Sequence, residues 1–353
     1  MKIKLAILEK DKSYLTRIVS VFGAKYADKL EIYSFTDPAV AISTISTAKI
    51  DVLLSSDAFE VNLQELPNRC AFAYLVDSMG IETVNDQRAI CKFQKADLIY
   101  KQILSVYSEK ASSITGFAMG GENCQVVVFC SPSGGTGCST MAAACAVRYA
   151  AQKKKVLYLN LEKFGSSDLF FEGQGQFSMS DIIYALKSKK TNLPLKLESC
   201  VKQDLRGVCF YSKANVALDM MEMNTEDILR LISELKLMGS YDFIILDMDF
   251  SLEQNMLKIY RQAGFVVWVG DGSVTSNTKI ERAYQALSIM EQNADAPLTN
   301  RISFMYNRVS SKSSQSLNVQ GLKILGGAQR FEGATVHQVM DQLASKDFLN
   351  AIH

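Results

Sequence analysis

Several residue types that build common active sites are scarce in this sequence. The chain of 353 residues contains two histidines, His337 and His353, and one tryptophan. Two histidines cannot form a histidine-rich metal site, and a histidine-based triad would have to use one of them. The eight cysteines include no C-x-x-C pair, and several lie in apolar segments. This usage is typical of reduced core cysteines in a cytosolic protein.

Long apolar runs and a strong net charge are also missing. No uninterrupted apolar run reaches the ~20 residues of a transmembrane helix, so we expect peripheral membrane contact at most. The start, MKIKLAILEKDKSYL, has charges within and after its apolar run, which predicts a first strand rather than a signal peptide. The net charge of +1 gives no indication of nucleic-acid binding. We expect a cytoplasmic protein, with a polar position or the inner membrane face as open alternatives.

Apolar strand runs alternate with amphipathic stretches in two blocks, 1–108 and 124–353. Such alternation predicts parallel sheets covered by helices on both faces. The segment 109–123 is rich in small residues and is predicted to be a linker. The predicted fold class is therefore α/β, with two doubly wound parallel-sheet domains. The predicted strands are IKLAIL, EIYSF, IDVLLSS, AFAYLV and AICKF, then QVVVFC, VLYLNL, GVCFYS, DFIILDM, FVVWVG and ISFMYN.

One glycine-rich stretch, SPSGGTGCST at 131–140, has the sequence context of a phosphate-binding loop. It follows an apolar strand and precedes a helical stretch of small residues, which is the order such a loop requires. Backbone N–H groups and the positive end of the helix would hold the anion, and glycine lets the chain wrap closely. The residues predicted to contact the phosphates are Ser133, Gly134, Gly135, Thr136, Gly137, Cys138, Ser139 and Thr140.

Two positions depart from the general pattern G-x-x-x-x-G-K-[ST]. Pro132 replaces the first glycine, and Cys138 replaces the lysine. Ser139 stands where a hydroxyl ligates the magnesium ion on the phosphates. Taken alone, the stretch is also compatible with an ordinary glycine-rich turn of an α/β domain.

Further motifs resemble the ParA/MinD class of ATPases. SGGTGCST is similar to the deviant phosphate loop K-G-G-x-G-K-[ST]-T of that family. KKKVLYLNLE resembles its switch I strand, YDFIILDMD the strand with the magnesium-associated aspartate, and ISFMYNR the strand whose final Asn contacts adenine. The resemblance implies ATP and Mg²⁺ as ligands. It implies metal ligation by Ser139 and Asp247, catalytic roles for Glu162 and Asp247, and nucleotide contacts from Asn307 and Arg308.

The first 108 residues resemble a response-regulator receiver domain of flavodoxin type. Glu9 and Asp11 follow the first strand, as the acidic pair of a receiver does. The phospho-acceptor position falls on Ser56, with Asp57 one residue later, and Lys92 is the nearest lysine after the fifth strand. A shift of one residue in a strand reverses the face of a side chain. Asp57 is the candidate phospho-acceptor, but an interaction module without phosphorylation is favoured.

The two-domain order and the segments 166–186 and 266–287 resemble the TadZ/CpaE branch of that superfamily, which acts in pilus assembly. This resemblance implies an ATP-binding scaffold or localisation factor for Tad (Flp, type IV-like) pilus assembly. It also implies a homodimer formed through the ATPase-like domain and partners in the pilus or secretion machinery.

The departures from the family concern charge. Its two loop lysines, one in the loop and one that reaches across a dimer, correspond to Cys138 and Ser133, and the switch I acids appear as Asn160 and Glu162. Loss of one preorganised donor typically lowers a rate ~10²–10³-fold, whereas loop amides and Mg²⁺ still favour binding. We therefore expect ATP binding with weak or absent hydrolysis. An active ParA-like partitioning or positioning ATPase and a phosphorylation-controlled response regulator stay open as alternatives.

Overall fold

The computed structural model describes residues 2–110, 124–188, 192–292 and 294–352. They divide into two compact units. The first comprises the described residues of Met1–Phe117 and Tyr184–Cys200, and the second those of Ala118–Ile183 and Val201–His353. The segment 184–200 lies within the predicted second domain, 124–353, but it packs in the first unit.

Strands and helices alternate along both units, as the apolar pattern predicts. The strands are β1 (Ile3–Leu8), β2 (Leu30–Phe35), β3 (Val52–Ser56), β4 (Ala71–Val76), β5 (Thr83–Val84), β6 (Gln87–Cys91), β7 (Gln125–Cys130), β8 (Val156–Asn160), β9 (Lys202–Gln203), β10 (Cys209–Phe210), β11 (Phe243–Asp247), β12 (Phe265–Gly270), β13 (Ile302–Val309) and β14 (Lys323–Gln329). The helices are α1 (Lys12–Lys25), α2 (Pro38–Ala48), α3 (Ala96–Lys110), α4 (Cys138–Ala151), α5 (Met179–Ser188), α6 (Leu193–Cys200), α7 (Ala217–Glu222), α8 (Thr225–Leu237), α9 (Gln254–Tyr260), α10 (Val274–Met290) and α11 (Val336–Ala344).

The sheet of the first unit has the strand order β2-β1-β3-β4-β6-β5. Its pairs are parallel except β5 with β6. Alternate side chains of β1 face opposite layers, with Leu5 and Ile7 packed beside α1 and α3, and Ala6 and Leu8 packed beside α2. The sheet is therefore covered on both faces, as predicted. Strand β5 was not predicted. It pairs with β6 in an antiparallel hairpin. The two residues that connect these strands, Asn85 and Asp86, both have positive φ, as a tight hairpin turn requires.

Helix α6 contributes to the core of the first unit. Leu195 is 1% exposed and belongs to the same cluster as Ile99 and Ile103 of α3. Lys196 is also buried, and its Nζ donates a hydrogen bond to Ser105 Oγ at 3.1 Å. These contacts make a segment that is remote in sequence part of the receiver-like core.

The sheet of the second unit has the order β14-β13-β12-β7-β11-β8-β10-β9. Only the short pair of β9 and β10 is antiparallel. In the register of the central strands, Asp247 of β11 lies beside Phe129 of β7 and Asn160 of β8. Because parallel strands end at one edge, β7, β8, β11 and β13 deliver polar residues to the same edge of the sheet.

Some elements differ from the predicted ones for identifiable reasons. Strand β14 was not predicted, because its sequence KILGGAQ contains two glycines and few β-branched residues. The run GVCFYS forms only a two-residue strand, β10. Glu109 and Lys110 end α3 rather than begin a linker, and the rest of the predicted linker, 111–123, lies outside the described residues. Near the C-terminus, Met340 and Leu343 of α11 are fully buried, as expected of a core helix.

Shortening Leu195 is expected to destabilise the first unit. A Leu195→Ala substitution leaves a cavity beside α3, which typically costs ~2–4 kcal/mol. Hydrogen exchange resolved by segment should show faster exchange in α3 and β6. Leu205→Ala is the control, because Leu205 is fully exposed. Equal protection in both variants would contradict the assignment of α6 to this core.

Candidate functional site

The phosphate-loop stretch forms a tight turn between β7 and α4. Gly135 and Gly137 both have φ of +78°, a conformation that favours glycine. A Cβ added to Gly137 would lie 2.5 Å from Asn307 Nδ2 and 3.2 Å from Arg308 Nε. The backbone conformation therefore favours glycine at both positions, and at Gly137 the side chains packed on the loop also leave no room for a Cβ.

Ser131 fixes the start of this loop. Its hydroxyl donates to the carbonyl of Val269 at 2.6 Å. It also accepts hydrogen bonds from the Ser133 N–H at 3.1 Å and the Thr136 hydroxyl at 3.2 Å. Ser131 lies outside the predicted phosphate-contacting residues, because the family pattern begins two residues later.

A polar network lies at the ends of β8 and β11, beside the start of α4. Asp247 is fully buried, and its Oδ2 accepts from the Tyr158 hydroxyl at 2.7 Å and from Asn160 Nδ2 at 2.9 Å. Glu162 Oε2 accepts from Asn160 Nδ2 at 3.1 Å and from Ser139 Oγ at 3.2 Å. The structure thus brings together Ser139, Glu162 and Asp247, the three residues predicted for metal ligation and catalysis.

Tyr158 belongs to this network and Gly165 packs against it, although neither residue was predicted to be part of the site. Burial raises the pKa of the Tyr158 hydroxyl well above its ordinary value, so it stays a neutral donor. A Cβ on Gly165 would lie 2.3 Å from Asn160 Oδ1 and 2.7 Å from Glu162 Oε2. Tyr158 occupies a fully buried position of β8, where an aliphatic residue would fit the apolar pattern of the strand equally well. Only the structure therefore reveals the hydrogen bond from its hydroxyl to Asp247.

Burial also governs the charge of Asp247. Desolvation, with a smaller contribution from the Glu162 charge, raises the pKa of Asp247 from 3.8 to about 7. The hydrogen bonds from Tyr158 and Asn160 oppose this rise but do not cancel it. A cation that reached Asp247 would favour the ionised carboxylate and relieve this cost.

The donors at this site fit Mg²⁺. Asp247 Oδ1 is buried and has no hydrogen-bond partner within the described residues. Together with the Ser139 hydroxyl and the Glu162 carboxylate, it offers the oxygen ligands that Mg²⁺ prefers. In the described ranges no cluster of three or more His, Cys, Asp or Glu residues could hold a metal. Mg²⁺ is commonly bound by one or two protein carboxylates together with phosphate oxygens.

The loop positions that hold lysines in the family carry no charge here. Ser133 is 7% exposed. Burial raises the pKa of the Cys138 thiol well above its ordinary value, so this side chain is neutral. Lys163, which follows Glu162, has an exposed side chain, and its backbone N–H donates to Asp249 Oδ2 at 3.0 Å.

Asn307 and Arg308 contact the loop from β13. Asn307 Nδ2 donates to the Thr136 carbonyl at 2.9 Å, and an Arg308 guanidinium N–H donates to the Gly135 carbonyl at 2.8 Å. Asn307 is 1% exposed, so its amide supports the loop backbone. Both residues predicted to contact the nucleotide therefore lie at the loop, where their side chains donate hydrogen bonds to loop carbonyls.

A cavity of ≈ 670 Å³ opens next to these residues. Its lining includes Gly135 and Thr140 of the loop region, the end of β13, the serine-rich segment 310–314 and parts of 329–339. Its volume lies in the range of ordinary small-molecule sites.

The receiver-like unit has a second, separate cluster at the ends of its strands. Lys92 Nζ lies 3.1 Å from Glu9 Oε2 and 2.7 Å from Asp77 Oδ1, and its side chain is 9% exposed. Burial lowers the pKa of Lys92, but the hydrogen bonds to Asp77 and Glu9 outweigh burial and raise it. Asp11 caps α1 by accepting from the N–H groups of Ser13 and Tyr14. Of the predicted acidic pair, Glu9 therefore pairs with the Lys92 ammonium group, and Asp11 caps α1.

The predicted phospho-acceptor lies just past β3. Ser56 ends the strand and is 2% exposed, whereas the side chain of Asp57 is exposed. The Asp57 N–H donates to the Leu75 carbonyl at 3.1 Å, and the Ser56 carbonyl accepts from Phe59 N–H at 3.1 Å. Asp57 therefore belongs to the turn after the strand.

Comparisons with known proteins agree with both halves of this description. The family model of the TadZ-like receiver domain matches residues 1–108. A ParA family ATPase from Chlorobium tepidum superposes with a TM-score of 0.51 and 21% identity, covering 65% of this chain and 96% of its own. The septum site-determining protein MinD from Pyrococcus horikoshii, solved with Mg-ADP, gives a TM-score of 0.47 and 17% identity over 63% and 94%. No curated protein sequence matches the chain.

The second unit therefore has the fold of the ParA/MinD ATPases. The residues that match the TadZ-like receiver model, 1–108, contain all six strands of the first unit. Among the helices described, none is both long and apolar enough to cross a membrane.

Replacing Asp247 by Asn is expected to remove a pH dependence of stability. The folded carboxyl holds its proton up to about pH 7, whereas the unfolded one ionises near pH ~4. The wild type should therefore lose stability as pH rises from ~4 to ~7, by up to about 4 kcal/mol, and then stay at the lower level. Urea unfolding in Mg²⁺-free buffer should show that the free energy of unfolding of Asp247→Asn, relative to that of the wild type, is greater at pH ~8 than at pH ~5. The exposed Asp249→Asn variant is the control, and an equal response in both variants would contradict this account.

Acyl-phosphate labelling tests the receiver-like cluster. Because Lys92 already neutralises Glu9 and Asp77, we expect no Mg²⁺-dependent label on the wild-type protein. The Asp57→Ala variant provides the comparison. Label that appears on the wild type and disappears in Asp57→Ala would establish phosphorylation and overturn this expectation.

Proposed function

We propose that this protein is an ATP-binding scaffold or localisation factor for Tad pilus assembly that dimerises through its ATPase-like unit and hydrolyses ATP weakly or not at all. The observation that carries the proposal is the combination of an intact glycine loop with two uncharged side chains at the lysine positions. Such a site favours binding over turnover.

The retained features support nucleotide binding. Gly135 and Gly137 keep the positive φ of a tight loop, and α4 begins directly after them. Backbone amides and a helix N-terminus stabilise phosphate groups without any lysine. Ser139 and Asp247 would hold Mg²⁺, which supplies charge compensation for the phosphates when it is bound.

The lost features support weak turnover. Charge that develops on transferred phosphoryl oxygens needs preorganised cations, and Ser133 and Cys138 provide none. In switch I, Asn160 replaces a carboxylate and uses its amide to bridge Asp247 and Glu162. Glu162 is in turn bonded to Ser139. These side chains form a connected network, which restricts the freedom of Glu162 to orient a water molecule.

The assembly role rests on the two kinds of unit in one chain. In the solved MinC:MinD complex from Aquifex aeolicus, a protein named MinD binds another protein. In the present chain, the exposed side chain of Phe164, 80% accessible, follows the switch I segment and supports a protein interface beside the loop. The receiver-like unit, whose acidic cluster is closed by Lys92, suits recruitment of pilus or secretion components better than phosphoryl transfer.

Light scattering and phosphate release on one sample test the proposal. With ATP and Mg²⁺ we expect the mass of a stable dimer and a turnover number well below the ~1–10³ s⁻¹ of ordinary enzymes. A Ser133→Lys/Cys138→Lys double variant, which restores both cations, is the matched comparison and should release phosphate faster by ~10²-fold or more.

Two results would contradict the proposal. Absence of ATP binding at millimolar concentration in the presence of Mg²⁺ would remove the nucleotide from the function. Rapid turnover coupled to dimer dissociation in the wild type would favour an active ParA-like ATPase.

A further inference from the structure

We propose that Arg308 supplies, from β13, the phosphate-binding positive charge that the loop itself lacks. This inference rests on the proposed function, since it names the residue that allows a loop without lysines to bind ATP. The evidence for it is a β-bulge at the end of β13 and the contacts that Asn307 and Arg308 make with the loop.

A β-bulge lies at the end of β13. Tyr306 pairs with Gly327 and Val309 pairs with Gln329, so Asn307 and Arg308 together lie opposite the single residue Ala328. Arg308 has a φ of +56°, a left-handed conformation that is uncommon for residues other than glycine. Bulges next to functional sites redirect side chains, and a strained non-glycine residue is evidence for a functional constraint.

Because of the bulge, the consecutive side chains of Asn307 and Arg308 both contact the loop between β7 and α4. In a regular strand, neighbouring side chains point to opposite faces. Here Asn307 Nδ2 reaches the Thr136 carbonyl at 2.9 Å and the Arg308 guanidinium reaches the Gly135 carbonyl at 2.8 Å. The Nε of Arg308 also lies 3.2 Å from the position that a Cβ of Gly137 would occupy. The guanidinium therefore lies against the loop from Gly135 to Gly137.

The charge of Arg308 is available to a ligand. In the part of the chain that the structure describes, no carboxylate lies within ion-pair distance of it, and its side chain is exposed at the cavity beside the loop. A guanidinium carries several N–H donors in a planar fork that matches phosphate oxygens, and the bond to Gly135 uses one of them. Because the Ser133 and Cys138 side chains carry no positive charge, the Arg308 guanidinium would strengthen the attraction of a polyphosphate to this loop.

Comparing Arg308→Gln with Arg308→Lys tests the role of charge. Glutamine keeps an N–H donor without charge, whereas lysine keeps the charge without the planar fork. We measure dissociation constants for ATP with Mg²⁺ by calorimetry on the full chain. Arg308→Gln should bind ATP ~10–100-fold more weakly than the wild type, and Arg308→Lys should retain most of the affinity. Lys279→Gln, an exposed lysine on α10, controls for the loss of one positive charge and should bind as the wild type does.

The salt dependence of binding separates charge from structure. If Arg308 contacts phosphate, the fall of ATP affinity with added salt should be shallower in Arg308→Gln than in Arg308→Lys. Equal ATP affinities and equal salt dependences of these two variants would overturn the inference and leave Arg308 with loop support only. A wild type that binds no ATP would overturn the proposed function and this inference together, whereas wild-type binding with an unaffected Arg308→Gln would overturn this inference alone.

Discussion

The lack of space at Gly137 is the constraint on which the loop between β7 and α4 depends. At a φ of +78°, with side-chain nitrogens of β13 within 2.5–3.2 Å of where a Cβ would be, this position accepts only glycine. The close approach lets β13 hold the loop by hydrogen bonds to its carbonyls, and these bonds use none of the loop N–H groups. A strand that lies at the other side of β12 in the sheet thereby determines the shape of a loop that follows β7.

Much of this arrangement could be predicted from the sequence. Apolar runs gave the central strands, because a buried parallel strand needs a continuous apolar segment. The order of motifs located Ser139, Glu162 and Asp247, since parallel strands end at one edge. The edge strands β5, β9 and β14 could not be predicted, because few residues are buried there to impose a pattern. Tyr158 was also missed, since its importance depends on the register that sets it beside Asp247.

The two units handle excess negative charge in different ways. In the receiver-like unit, Lys92 pairs with both Glu9 and Asp77, so the acidic cluster is neutralised by the protein. In the ATPase-like unit, Asp247 is neutralised by a proton below about pH 7. A metal ion can readily replace the proton on Asp247, whereas it cannot readily replace the buried Lys92 side chain. This difference separates a site that can respond to a ligand from one that is permanently satisfied.

The contribution of segment 184–200 to the first unit affects how such a protein can be rearranged during evolution. The described residues change from one unit to the other between α3 and β7, at 183/184 and at 200/201. A single recombination point between receiver-like and ATPase-like halves would therefore separate α6 from the core that it completes. Exchange of either half would succeed only if the matching helix were exchanged with it, so the two halves are expected to be inherited as a pair.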